Sequence, residues 1–375
     1  MSSASKFQWL STGDEAFAEM LAAIGAAKTS VRLEMYIFDS SPIGEKFRDA
    51  LFDAGRRGVA VYVLLDAIGS ITLSESFWAE FQAGGGHFRW FNRFTFARFG
   101  MRNHRKNLVC DDAVAIVGGL NIASEYQGDG VKTGWRDIGL KISGPLAKHL
   151  SNAFDDIFAS AEVKPAPFSG LRNSSQKQII RVPEAELLLS APGRLRNPLK
   201  RALEMDLSRA RNVQIICAYF LPTWRIRNHL NRIARKGGKV QLILPGKSDI
   251  PLTRLAARSL YQGMMRAGIE IYEYQPQILH AKIIVLDDAA YAGSANLDIR
   301  SLHLNYELLV RVTREKVVAD GGEIFSNDLK HCVRIDPATW KKSRTFWERL
   351  RERWAHFVLT RLDPLVSRRQ WRLMR

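Results

Sequence analysis

The chain has 375 residues, 46% of them hydrophobic and 25% charged, enough for one large domain or two medium ones and too rich in core-forming residues for disorder over most of its length. Its 55 Lys and Arg against 38 Asp and Glu leave a net charge of +17, which favours polyanionic partners (nucleic acid, anionic lipid, phosphorylated substrates) without choosing among them. Three scattered cysteines, Cys110, Cys217 and Cys332, speak against a disulfide framework and offer no zinc spacing, and no run of about eighteen uncharged apolar residues is present to cross a membrane.

In chain order, residues 14–28 read as an amphipathic helix, with the apolar stretch from Ala16 interrupted by Glu19. The β-branched and aromatic stretch 30–38 reads as a strand. A helix ending at Gly58, a strand over 59–65, and a further helix and strand joined at Gly84-Gly85-Gly86 follow. The same order then recurs. A helix over 197–210 leads to a strand over 212–220, a helix ending at Gly237-Gly238, a strand over 240–244, and a helix and strand joined at Gly268. Strands alternating with helices predict an α/β fold: two halves, residues 1–165 and 179–335, related by a pseudo-twofold, each a mostly parallel sheet flanked by helices. The polar, proline-containing stretch 163–178 is the expected linker.

Each half carries the same constellation. The first reads His104-x-Lys106-x4-Asp111 and then Gly118-Gly119-Leu120-Asn121; the second reads His280-x-Lys282-x4-Asp287 and then Gly293-Ser294-Ala295-Asn296. Residues i and i+2 of a strand face one side, so the pseudo-twofold brings two histidines and two lysines to one cleft. A neutral imidazole can attack phosphorus, and a protonated one can serve the leaving alkoxide. Lysine and carboxamide groups can hold the non-bridging oxygens, so no metal or other cofactor is expected. Gly246-Lys247-Ser248 is not a nucleotide loop, because Gln241 stands where the P-loop needs glycine.

This paired motif resembles the signature of the phospholipase D superfamily, over most of residues 14–312. Trp135-Arg136-Asp137 after the first motif, and Arg300-Ser301 and Asn305-Tyr306-Glu307 after the second, add to the likeness. Within the superfamily the chain is most similar to bacterial cardiolipin synthases of the short type without N-terminal membrane spans. The resemblance implies a phosphohistidine intermediate, with His104 and His280 as nucleophile and general acid–base. It makes Lys106, Lys282, Asn121 and Asn296 phosphate-binding, with Ser294 supporting the site and Glu307 orienting a histidine. Asp111 and Asp287 belong to the catalytic motif by resemblance, or fix the strand ends. Asn107 and Cys110 stand where aliphatic residues are more usual.

The implied reaction makes cardiolipin and glycerol from two phosphatidylglycerol molecules at an anionic phospholipid membrane, on the cytoplasmic face and as a peripheral protein. Hydrolytic phospholipase D, phosphatidylserine synthase, a nucleic-acid phosphodiesterase and an inactive basic scaffold are the competing readings; which histidine attacks, the acceptor alcohol and the oligomeric state stay open. The segment from Phe91 to Arg105 alternates aromatic and basic residues and suits a headgroup-facing loop, single-stranded nucleic acid or ordinary packing. Residues 336–375 form a tail with Trp340, Trp347 and Trp354 seven apart. From Trp340 onward it holds eleven Lys and Arg against Glu348, Glu352 and Asp363, a net of +8. Its apolar stripe, including Phe346, Leu350, Phe357 and Val358, suits either docking on the core or an interfacial membrane helix ended near Pro364. Tryptophan with so much basic charge favours lipid over nucleic acid.

Overall fold

The computed structural model describes residues 4–92, 101–162, 179–192 and 197–362. The first sheet holds β1 (Lys6–Leu10), β2 (Ser30–Met35), β3 (Ala60–Asp66), β4 (His87–Phe91), β5 (Asn107–Cys110), β6 (Val114–Gly118) and β7 (Gly139–Ser143), in the order β1-β7-β6-β5-β2-β3-β4. The second holds β8 (Ile179–Val182), β9 (Ala185–Ser190), β10 (Asn212–Cys217), β11 (Lys239–Pro245), β12 (Glu270–Tyr274), β13 (Lys282–Leu286), β14 (Ala290–Gly293), β15 (Glu307–Val312) and β16 (Cys332–Arg334). Its order, β16-β12-β11-β10-β13-β14-β15-β9-β8, contains the first sheet's arrangement again, with β8 and β16 added at the edges. The linker 163–178, most of the aromatic–basic segment (93–100) and the tail from Asp363, including Pro364, lie outside the described residues.

The two-half α/β architecture stands, but the sheets are mixed and not mostly parallel. Strands β2, β3 and β4 run parallel because α2 (Pro42–Arg56) and α3 (Ala79–Ala83) carry the chain back between them. The matching β10, β11 and β12 are parallel for the same reason, through α6 (Trp224–Arg235) and α7 (Pro251–Arg266). The helical pattern then stops. The strand carrying each motif pairs antiparallel with β2 or β10 and folds back through a tight turn into β6 or β14. Gly58 and Gly237 follow α2 and α6 at the same φ of 85°, a conformation that glycine adopts without a Cβ clash.

Three apolar layers result. In the first half Phe17, Ile24 and Phe47 on α1 (Gly13–Ala26) and α2 pack on Val31, Leu33 and Val63. In the second, Leu203, Leu207 and Leu230 on α5 (Pro198–Arg209) and α6 cover Val213, Ile215 and Leu242. A third cluster joins the halves: Val117, Leu140 and Ile142 meet Leu187, Ile283 and Val310, with α4 (Pro145–Glu162) and α9 (Glu315–Leu329) completing the layer. Polar links cross between the halves as well. Trp9 Nε1 donates to the Val317 carbonyl at 3.0 Å, and buried Arg136 pairs with Asp328 at 2.8 Å.

Behind the second half, α10 (Pro337–Trp340) and α11 (Phe346–Phe357) fold onto α7. A capping box between Thr345 and Glu348 starts α11. Ala355 and Leu359 pack with Leu221, Leu252, Leu255 and Ala256, while Trp347 and Trp354 are 70% and 60% exposed. Docking and an outward aromatic stripe thus coexist on different faces of one helix.

Candidate active site

Both histidines sit just ahead of a strand, held by backbone from the opposite half. His104 N donates to the Tyr306 carbonyl at 3.0 Å, and Tyr306 N to the Arg102 carbonyl at 2.9 Å. Across the pseudo-twofold, His280 N donates to the Arg136 carbonyl and Arg136 N to the Ile278 carbonyl, both at 2.8 Å. The segment before His104 is also pinned from below. Asp66, at the end of β3, accepts from Asn103 N at 2.9 Å and Arg102 Nη1 at 3.2 Å, and Glu34 accepts from Asn103 Nδ2 at 2.8 Å.

These bridges set a crossed pairing. His104 Nδ1 lies 3.0 Å from Glu307 of the second half, and His280 Nδ1 lies 2.6 Å from Asp137 of the first. A carboxylate only accepts, so each Nδ1 carries a proton and each neutral imidazole presents the Nε2 lone pair. Burial drives the His104 pKa down to about 4 against the opposing pull of Glu307, so the ring is neutral at pH 7. Burial and then Lys282 lower His280 as well, with Asp137 opposing. Glu307 stays below the ordinary carboxylate range: burial would raise it, but His104 and Lys106 outweigh that.

Lys106 Nζ donates to the His104 carbonyl at 2.8 Å and lies 5.1 Å from the Tyr36 ring centre. Lys282 Nζ reaches the His280 carbonyl and sits 2.9 Å from its Nδ1. Both ammonium groups are buried. Burial lowers both, Lys106 to about 7. A phosphodiester anion brought beside Lys106 therefore favours its charged form, and binding above pH 7 takes up a proton. Calorimetric titration of a His104→Asn variant with short-chain phosphatidylglycerol, in buffers of different ionisation enthalpy, should show uptake near zero at pH 6. It should rise towards one proton at about pH 8; equal uptake at both would reject a depressed lysine.

The supporting residues divide. Asn121 Oδ1 accepts from Ile37 N at 3.0 Å and Asn296 Oδ1 from Tyr219 N at 3.3 Å, tying down the loops after β2 and β10. Asn121 Nδ2 donates to the Tyr126 hydroxyl at 2.6 Å, and that hydroxyl lies 3.5 Å from His280 Nε2. Ser294 Oγ donates to Glu307. The matching position is Gly119, where a Cβ would lie 2.2 Å from Asp137 Oδ1. Asp111 and Asp287, grouped with the catalytic residues by resemblance, touch neither histidine. Asp111 sits in the turn after β5 and accepts from the N–H groups of Lys28, Thr29 and Ser30; Asp287 does the same for Arg211 and Asn212. Burial pushes Asp111 up, but those donors prevail and hold it at about 2. Both aspartates are strand-end clamps.

Two residues escaped the sequence reading as site members. Asp137 stands within Trp135-Arg136-Asp137, and its signal is that this tripeptide precedes β7 as Asn305-Tyr306-Glu307 leads into β15. Tyr126 occupies the place of Ser301 when Gly118-x-x-Asn121 is set over Gly293-x-x-Asn296; Ser301 Oγ instead accepts from Asn296 N at 3.2 Å within its own half. Nothing in its local sequence marks a tyrosine that reaches into the other half.

Comparisons with known proteins give the chain's family and fold. A family model described as cardiolipin synthase, PLD-like domain, matches residues 20–158 and again 203–329. The chain is 32% identical over 362 residues to cardiolipin synthase 1 of Bacillus cereus, covering 93% of this chain and 71% of the relative. It is 31% identical over 377 residues to cardiolipin synthase B of Escherichia coli, covering 96% and 89%. Among solved structures, phosphatidylserine synthase of Haemophilus influenzae superposes with a TM-score of 0.75 at 17% identity, over 96% of this chain and 94% of that one. Polyphosphate kinase of Porphyromonas gingivalis follows at 0.59 and 15%, over 89% of this chain and 49% of its own. At those identities the likeness is one of fold. The family match and the two relatives, together with a motif that the fold closes into one crossed site, show that the chain belongs to the cardiolipin synthase family of phospholipase D-like phosphatidyltransferases.

Proposed function

We propose that the chain joins two phosphatidylglycerol molecules into cardiolipin and glycerol through a phosphohistidine at His104. The observation that carries this reading is the crossed pair of carboxylate-oriented histidines flanked by two buried lysines. Residues 1–165 and 179–335 serve as its two half-sites and 336–375 as its tail. His104 Nε2 attacks the donor phosphorus, and the bond from phosphorus to the glycerol headgroup oxygen breaks. Turnover runs through the molecules whose His280 has taken a proton from solvent at Nε2, and this imidazolium gives that proton to the leaving oxygen. The acceptor's headgroup hydroxyl then loses its proton to His280 as its oxygen attacks phosphorus, and the P–N bond breaks. Lys106 and Lys282 stabilise the non-bridging oxygens as charge builds.

The division of roles follows from Tyr126. Its hydroxyl accepts from Asn121 and lies 3.5 Å from His280 Nε2, with Lys282 Nζ 3.3 Å from the same nitrogen, so donors crowd that lone pair, while among the described residues no hydrogen bond is found to His104 Nε2. His104 is the freer nucleophile. The reading is tested by incubating the purified protein with vesicles of labelled phosphatidylglycerol and separating the lipids. Cardiolipin and glycerol in near equal amounts support it. Phosphatidic acid as main product would make the protein a hydrolase, and cleavage of single-stranded DNA with inert lipid would make it a nuclease.

The substrate lies at headgroup level, and among the described residues no helix is long and apolar enough to cross a membrane. We assign the outward stripe of α11 to holding the site at an anionic phospholipid surface on the cytoplasmic side. Because α11 also covers α7, removing the tail would strip apolar contacts from the core. Trp347→Ala with Trp354→Ala is the cleaner change, since both side chains are exposed. The pair should weaken vesicle binding by roughly tenfold or more while thermal stability stays within about 0.5 kcal/mol. Unchanged sedimentation with vesicles would remove the stripe from membrane attachment.

A further inference from the structure

Between the docked face of α11 and its aromatic stripe lies a pocket crowded with cations. Arg258 of α7, Lys341 and Arg344 of the α10–α11 link, and Arg349 and Arg353 of α11 line it together with Trp340. Glu352 is the one carboxylate in the lining, and it already contacts Arg344. Arg258 is likewise committed, with Nε and Nη2 on Glu273 at 2.8 and 2.6 Å.

Arg344 is the telling group. Its guanidinium lies 4.4 Å from the Trp340 ring centre, the residue is 9% exposed, and Nη1 has no hydrogen-bond partner among the described residues. Arg254, one helical turn before Arg258, has a buried Nε in the same condition. Burial, then the neighbouring Arg258 guanidinium, push the Arg344 pKa down, with Glu348 and Glu273 opposing and Arg254 adding to the fall. Like charges gathered in a partly dry pocket with unmet donors are costly unless an anion with several acceptor oxygens joins them. A phosphate fits, because planar guanidinium forks match its oxygens in pairs.

Position identifies the source of that phosphate. At 3.6 residues per turn, Arg349 and Arg353 fall on the flank between buried Glu352 and the edge of the stripe formed by exposed Phe346 and Phe357. With the stripe in the acyl boundary of a bilayer, this flank stands at the level of the headgroup phosphates. We propose that the pocket is a non-catalytic binding site for the phosphate of an anionic phospholipid headgroup, occupied when α11 lies on the membrane. The proposal rests on the membrane reading of the stripe.

The test uses the full chain carrying His104→Asn, which prevents consumption of the probe. Equilibrium binding of dihexanoyl-phosphatidylglycerol below its micellar concentration should give two molecules per chain. Arg349→Gln with Arg353→Gln should remove one of them and leave turnover of soluble substrate intact in the otherwise native chain. The same pair should lower binding to vesicles of phosphatidylcholine and phosphatidylglycerol in equal parts by roughly tenfold. A control of equal charge, Lys46→Gln with Arg56→Gln on exposed positions of α2, should change it little. Equal losses for both pairs, with lipid stoichiometry unaltered, would reduce the pocket to diffuse surface charge and overturn the proposal. Inorganic phosphate displacing the second lipid completely, with vesicle binding of the arginine pair intact, would overturn it in favour of a free-phosphate site. If the tryptophan pair binds vesicles normally while the arginine pair loses its second lipid, the membrane-anchor reading fails and the lipid-phosphate pocket stands.

Discussion

Alanine at either His104 or His280 should remove nearly all phosphatidyl transfer, by at least about a thousandfold, if nucleophile and acid–base act as one unit. The two losses have different causes, and a substrate with an activated leaving group separates them. A phosphatidyl ester of p-nitrophenol releases its leaving group without a proton, so the His280→Ala variant should still form phosphohistidine and release p-nitrophenolate in a single burst. The His104→Ala variant should give no burst. Acid-labile radiolabel in the first variant should map to the peptide containing His104. A burst from His104→Ala instead would reverse the roles, and with them the argument from the Tyr126 hydroxyl. Full steady-state turnover in either variant would remove the shared two-histidine site altogether.

The next largest effect belongs to the crossed carboxylates. Asp137→Asn and Glu307→Gln keep size and shape, yet each offers a carboxamide that can donate to Nδ1 and turn the imidazole to the wrong tautomer. An analogous change in a serine protease triad costs about ten-thousandfold in turnover. A fall of roughly a thousandfold or more is expected for each variant here, with substrate affinity nearly unchanged, because neither carboxylate is placed against the phosphate. The change reaches the opposite half's chemistry: Asp137→Asn disables His280, and Glu307→Gln disables His104. With the p-nitrophenyl ester, Asp137→Asn should therefore keep its burst and Glu307→Gln should lose it. More than a tenth of native turnover in either would mean that the ion pair is structural.

Much of this was legible because duplication writes the same physics twice. Gly58 and Gly237 stop equivalent helices, and two His-x-Lys motifs precede equivalent strands. The direction of the motif strands was not legible. After β4 and β12 the helical periodicity stops, and no local pattern says that the returning strand runs antiparallel. Side-chain alternation correctly placed His104 and Lys106 together, although both precede β5 and are held by backbone bonds to Tyr306 and by the His104 carbonyl. Asp137 was hidden because its partner lies 143 residues away in the other half. For Asp111 and Asp287 the motif leaves catalysis and strand-end fixing both open, and the backbone donors gathered round them decide for the strand ends. The tail's stripe could not be assigned from periodicity, since a helix can dock by alanine and present tryptophan on its far side.

The crossing has a consequence for how the protein is made. As the chain leaves the ribosome, the first half emerges with His104 and Lys106 but before Glu307, which follows His104 by 203 residues. The second half, once made, has no Asp137 of its own. An imidazole with no carboxylate and no opposing backbone to hold it is free to rotate, and a lone lysine beside it cannot dry the site. A nascent chain or fragment that holds one half alone is thus expected to leave the lipids it meets unchanged. Phosphatidyl transfer switches on only when the interface between the halves closes, so biosynthesis carries its own safety catch.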